Sequence, residues 1–327
     1  MDNHIIDHLH INLVETTPQH LERLSPEQRV AFVRHVIDQA EQNPEEVELL
    51  VRLAGRLLPL VAKNQKYSCV LKLFDVMRAS HHRFGKEIYS FLDFSLLRDL
   101  EHLERINLAN RLSESLNDAD QISKEAALAG LVHLIPHLHP VHQKEYALDI
   151  FELHKEQHMT DYILKSLTSL IFDLDLASRV DITFFFADYL KRHSETESKV
   201  FVLDLLRGVT SALPEKERLA IADIVAPLIY FSNTELVKKS IQFFSDVINL
   251  LPELDRFHFT QLMAGLINDS SVRGDVVKAL EKALPFLGAP IEQAQIKELL
   301  RQFGEARDVS QTSEDHVMLE WASYNLS

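Results

Sequence analysis

Four histidines, His133, His137, His139 and His142, gather around Pro136 and Pro140 and form the densest set of metal-binding side chains in a sequence that holds 17 histidines. His133 and His137 stand one helical turn apart, a spacing at which two imidazoles can chelate one divalent ion, and His139 or His142 could complete the shell. Neither a cysteine-containing zinc spacing nor HExxH accompanies them. The group therefore reads as turn and surface histidines between two helices, and no cofactor is expected. A second group, His4, Asp7, His8 and His10, lies in the leading segment, where specific coordination is rare. His81-His82 reads as a turn.

The other reactive side chains point the same way. Cys69 is the single cysteine, so it forms no internal disulfide, and its neighbours Val70, Leu71, Leu73 and Phe74 read as a buried helix. Nothing nearby would lower its pKa, so it reads as a core thiol in a reducing compartment. The phosphate loop GxxxxGKS/T and the nucleophile elbow GxSxG are absent. With 34 basic and 49 acidic residues the formal charge is −15, which opposes binding along a phosphate backbone. No apolar stretch approaches the ~18 residues of a membrane span, the first residues carry no secretory pattern, and the sequons at Asn268 and Asn325 would stay unmodified. A cytoplasmic protein is expected.

The elements that position these residues recur at a fixed beat. Prolines after an apolar pair stand at Pro59, Pro136, Pro214, Pro252 and Pro285, separated by 77, 78, 38 and 33 residues, close to two, two, one and one copies of a unit about 38 long. Ser25-Pro26-Glu27-Gln28 and Asn43-Pro44-Glu45-Glu46 bracket a first helix over about 26 to 42. First helices are expected near 26, 66, 95, 140, 177, 214, 252 and 290, and their partners near 44, 84, 121, 160, 196, 234, 271 and 314. Apolar residues make up 46% of the chain and only eight residues are glycine, which favours helix over sheet. In the partner helix over 234 to 251, Val237, Ile241, Phe244, Ile248 and Leu251 form one stripe and Leu236, Phe243, Val247 and Leu250 the adjoining one. That is wide enough to pack on its own pair and on both neighbours. Pro59 and Pro136 should kink or stop helices, Pro214 and Pro252 should enter first turns, and Pro227 predicts a bend.

These residues resemble the HEAT-repeat (HEAT/armadillo-like) α-solenoids. The match lies in Asn268-Asp269-Ser270-Ser271-Val272-Arg273 with Val276, Val277, Ala279, Leu280 and Leu284-Pro285. It extends to Asn117-Asp118 with Ile122, Lys124, Ala126, Ala127, Leu131 and Ile135-Pro136, and to Ser232-Asn233 with Leu236, Lys239 and Leu250-Leu251-Pro252. The resemblance implies an all-α, right-handed α-α superhelix of about eight helix pairs over 25–310, after an irregular segment 1–24 and before a C-terminal capping helix or tail over 311–327. It also implies a ladder between repeats, with Asp118, Asp161, Asn233 and Asp269 facing Lys124, Lys165, Lys239 and Arg273. A 34-residue tetratricopeptide unit is shorter than the beat, and its Trp and Tyr signature is absent; the only tryptophan is Trp321.

In such an array the second helices line the concave side, which here would carry Lys124, Lys165, Lys199, Lys238, Lys239, Arg273 and Lys278. Acidic residues such as Glu145, Asp149, Glu152 and Glu156 would lie on the outer shell. Phe184, beside the core stripe Ile182, Phe185, Phe186 and Tyr189, either packs on a neighbouring repeat or anchors a partner. The expected function is a non-catalytic protein-binding scaffold or adaptor whose contact residues are Lys124, Lys165, Lys199, Lys238, Lys239, Arg273 and Phe184. The alternative is a metal-dependent or nucleic-acid-modifying enzyme on the same scaffold. HEAT-like hydroxylases use His-Glu dipeptides, which this chain lacks, and HEAT-like glycosylases need a basic groove. Membrane-surface binding is weaker still, since no basic amphipathic helix stands out.

Overall fold

The computed structural model describes residues 23–84, 99–117, 121–156 and 158–303, and among them every regular element is helical. The first helix shows the local cause. α1 (Pro26–Gln42) opens on a capping box, in which the Ser25 hydroxyl accepts from the Gln28 N–H at 3.3 Å and Gln28 Oε1 accepts from the Ser25 N–H at 2.9 Å. Pro26 sits at the first helical position, where its missing N–H costs nothing. There follow α2 (Val47–Leu57), α3 (Lys63–Phe84), α4 (His102–Ser115), α5 (Gln121–Leu134), α6 (Pro140–Glu152), α7 (Thr160–Asp173) and α8 (Leu176–Arg192). The remainder are α9 (Thr196–Val209), α10 (Glu215–Val225), α11 (Thr234–Val247), α12 (Glu253–Ala264), α13 (Arg273–Ala283) and α14 (290–303). The partner helices expected near 84 and 314, the His4–His10 group and Asp118 lie outside the described residues.

The chain divides into two compact units, residues 1–178 and 179–327. In the first, α1, α3, α4 and α6 are successive first-row helices. Lys72 pairs with Asp38, Arg111 Nη1 donates to Asp75 at 2.7 Å and the Tyr146 hydroxyl donates to Asn110 at 2.6 Å, across 34, 36 and 36 residues. α2 packs on α1, α5 on α4 and α7 on α6, and α5 and α7 also touch each other as second-row neighbours. In the second unit α9, α11 and α13 lie side by side as the second row, with α12 paired to α13. An all-α helical-repeat arrangement is thus built by contacts one repeat length apart.

One feature of the first row recurs in every repeat. Three places after each first-row start stand Arg29, Lys66, Arg105, Gln143, Arg179, Arg218, Arg256 and Gln293, separated by 37, 39, 38, 36, 39, 38 and 37 residues. All are long donors. Arg29 Nε donates to Leu24 O at 3.1 Å, Gln143 Nε2 to Leu138 O at 3.0 Å, Arg256 Nε to Leu251 O at 2.9 Å and Gln293 Nε2 to Leu287 O at 2.8 Å. Each satisfies a carbonyl that the turn into the helix leaves without a backbone partner. Arg179 and Arg256 also reach forward, to Ala212 O and Phe286 O at 3.1 Å each, where the next second-row segment ends. Such a guanidinium ties its own layer to the following turn. Lys66 instead pairs with Asp99.

Proline closes the helices as its chemistry requires. Pro59, Pro136 and Pro285 lie in the single 3₁₀ turns Leu58–Leu60, Ile135–His137 and Leu284–Phe286 that end α2, α5 and α13. Pro227 converts the end of α10 into the 3₁₀ segment Ala226–Tyr230, because a proline cannot donate to the α ladder. Pro214 and Pro252 occupy the N-cap positions of α10 and α12, one residue earlier than the first turn expected for them. The double stripe of α11 is buried at Leu236, Val237, Ile241, Phe243, Phe244 and Val247. Each such side chain stabilises by about 1.5–3 kcal/mol.

Candidate functional site

On the wet face of the second row in the second unit, charges form one strip across three helices. Lys239 of α11 donates to Asp204 of α9 at 2.7 Å. Arg207, one turn beyond Asp204, contacts Asp204 at 3.3 Å and crosses to Asp246 and Gln242 of α11 at 3.3 and 3.2 Å. Lys282 of α13 closes on Asp246 at 2.6 Å. Exposure rises from 18% at Asp204 to 51% at Lys282, so water reaches every pair. Pairs of this kind contribute about 0–1 kcal/mol each. Their charges can therefore be exchanged for a partner's at small cost.

The sequence-derived candidates fall into three groups. Lys124, Lys199 and Arg273 each stand 11 residues before the 3₁₀ turn that ends their segment, and so occupy one structural position. Each braces the end of the next first-row helix: Lys124 Nζ donates to Glu156 at 2.6 Å, Lys199 Nζ lies 4.6 Å from the Phe231 ring centroid, and the Arg273 guanidinium lies 5.9 Å from that of Phe303. Lys199 is 6% exposed, which removes it from the wet face where the sequence pattern put it. The position borders the apolar stripe, and the methylene stem packs inward while the amine reaches the aromatic face. Lys239 belongs to the strip. Lys165 is exposed, Lys238 is half-buried, and neither makes an ion pair among the described residues. Phe184 is half-buried on α8, while Ile182, Phe186 and Tyr189 beside it are buried.

Of the four expected ladder cations, Lys124 and Lys239 pair with carboxylates one repeat away, Glu156 and Asp204. Asn233 caps α11 by accepting from the Leu236 N–H at 3.0 Å. Asp269 accepts from the Ser271 N–H and hydroxyl at 2.9 and 2.7 Å, which holds its carboxyl below the usual range. Arg273 donates to Ile267 O and Asn268 O at 3.0 and 3.3 Å. A short side chain in a turn is closest to its own helix N-terminus and is used there. Lys124 and Lys239 find carboxylates 32 and 35 residues away instead.

Among the histidines, the structure assembles a different set from the pair one turn apart. His102 at the start of α4 has ring-centroid distances of 6.2 Å to His139 and 5.6 Å to His142. His139 caps α6, accepting from the Val141 N–H at 3.5 Å, and His142 Nδ1 lies 3.2 Å from Glu145. Among the described residues no three His, Cys, Asp or Glu side chains converge in a metal-binding geometry. Cys69 is buried in α3. Sequence reasoning missed His102 and the first-row donors; the signal for the donors was a cation or glutamine repeating every 36 to 39 residues.

No protein-family model matches the chain, and no curated protein matches it. Similar solved structures include Cex1p, at 16% identity and TM-score 0.49, over 83% of this chain and 54% of that one. An engineered protein is similar at 14% identity and TM-score 0.35, over 88% and 82% of the two chains. A designed armadillo repeat protein is similar at 12% and 0.34, over 65% and 94%. At these values the likenesses assign neither family nor activity, and the fold rests on the helix rows described above. Among the described residues no helix is long and apolar enough to cross a membrane.

Proposed function

We propose that this chain is a non-catalytic, cytoplasmic scaffold of the HEAT-repeat type, a right-handed superhelix that binds a protein partner along the face of its second-row helices. The strip Lys239–Asp204–Arg207–Asp246–Lys282 carries the reading: it spans three layers, exposes both signs of charge and holds them in weak pairs. Lys238 lies beside it, and Lys165 of α7, in the first unit, is exposed and makes no ion pair among the described residues. A partner with alternating charges would gain a few contacts per layer and accumulate affinity over several.

The test is charge reversal at Lys238 and Lys239 in the full chain, with helix content checked by circular dichroism. Lys199 is excluded because its burial would make reversal a stability experiment. Affinity capture followed by mass spectrometry should lose the proteins retained by the unaltered chain, while reversal of Glu145 on the first row should keep them. Equal capture by all three forms would refute the reading.

A further inference from the structure

Leu254 is 93% exposed at the start of α12, on the side of the helix away from its core. The buried face of α12 carries Phe259 and Met263, about 140° and 180° round the helix from it. Ile291, 68% exposed, stands likewise about 140° from Ile296, the buried residue of α14. Both hold the place directly after a first-row start, and Leu103 and Val141 hold the same place on α4 and α6 at 71% and 66%. Further described layers follow α4, α6 and α12, so this exposure belongs to the register rather than to the last helix. Phe286, also exposed, joins the two residues of the second unit: its carbonyl accepts from Arg256 Nη1 at 3.1 Å. Beside it the Glu253 carboxylate lies over the backbone of Gly288, where any Cβ would strike it. Leu254, Phe286 and Ile291 thus gather on one edge of that unit, where second-row helices end and first-row helices begin.

Single apolar residues on a surface need no explanation, but a group gathered in one register marks a contact surface. The charges around it select the occupant. Glu253, Asp255 and Glu292 make no ion pair among the described residues, and Arg256, on the same edge, is spent on the carbonyls of Asn249, Leu251 and Phe286. Acids in a first turn also answer the helix dipole, so alone they would name no ligand. Beside a bare leucine, phenylalanine and isoleucine they fit cations that arrive with apolar side chains.

We propose that this edge binds a basic amphipathic segment of another protein. Its aliphatic or aromatic side chains seat on Leu254, Phe286 and Ile291, and its lysines or arginines meet Glu253, Asp255 and Glu292. An anionic lipid surface, or the same edge of a second copy, would bring negative charge against these carboxylates. The chain's own ends match no better: residues 1–22 hold four acidic residues and no lysine or arginine, and residues 304–327 hold five acidic and one basic. The inference does not rest on the second-row strip.

Random peptides displayed on phage, panned on the immobilised full chain and depleted on its Leu254→Ser/Ile291→Ser variant, test this directly. Both substitutions replace exposed side chains, and circular dichroism should show helix content unchanged. Enriched peptides should combine lysine or arginine with leucine, isoleucine or phenylalanine. The leading one, as a labelled synthetic peptide, should bind the double serine variant about tenfold more weakly. Glu253→Gln with Asp255→Asn should weaken it several-fold, while Lys238→Glu with Lys239→Glu leaves it unchanged. Failure to enrich peptides that separate the chain from the depleting variant, or enrichment of uncharged or acidic ones, overturns the proposal. So does loss of binding in the Lys238 and Lys239 variant, which would place the peptide on the second-row strip. Binding to phosphatidylserine vesicles, or a dimer in sedimentation, that the double serine variant abolishes would overturn it too, giving the edge to a lipid surface or to a second copy.

Discussion

Replacing Phe244 by alanine asks whether packing across layers holds the second unit together. The ring is fully buried, stacks on Phe259 of α12 with centroids 5.1 Å apart and meets Phe243 edge-on at 5.3 Å. Lost transfer free energy is about 2–3 kcal/mol, and the cavity left between two helices raises the total to about 3–5 kcal/mol. Against a usual margin of about 5–15 kcal/mol, that is a large share of stability. Urea unfolding followed by far-ultraviolet circular dichroism should show the loss directly. Because each layer touches only its neighbours, hydrogen exchange should lose protection in α11 and α12 while α5 and α7 keep theirs. A loss below about 1 kcal/mol, or protection falling uniformly along the chain, would refute cross-layer packing as the source of stability.

Further outcomes follow from single residues. Ser25→Ala removes a capping-box hydroxyl and should cost about 1 kcal/mol in the same urea assay, with Ser25→Thr nearly neutral. Burial, with help from neighbouring carboxylates, pushes Tyr146 and Tyr162 up to about 12. The folded chain holds these protons more tightly than the unfolded one. Their contribution is therefore complete below about pH 10 and is lost as pH rises towards about 12; Tyr146→Phe should flatten that decline. Cys69 is 0% exposed, so a thiol reagent should label it only at the rate of unfolding, and prompt labelling of the native chain would contradict its burial.

Much of the architecture was legible because helix ends carry strong local chemistry. Ser25-Pro26 and the apolar-Pro pairs at Pro59, Pro136 and Pro285 mark boundaries that the structure keeps within a residue or two, since caps and proline act on the backbone beside them. The surface was harder to read. Lys199 and Val237 hold one structural position, so residue type alone could not say that the lysine is buried. The ladder acids Asp204, Asp246 and Glu156 lie 32 to 36 residues from their cations, a distance that only the stacking register resolves. His102 escaped notice for the same reason, because it meets His139 and His142 only once α4 and α6 are side by side.

Stacking of layers one repeat length apart is tested most directly by zero-length carbodiimide coupling of the native chain, which joins only amines and carboxylates already in contact. Mass spectrometry of the digest should recover isopeptides joining Lys124 to Glu156, Lys239 to Asp204 and Lys282 to Asp246, across 32, 35 and 36 residues. Recovery of local links alone, such as Lys155 to Glu152, with none across a repeat, would contradict the account.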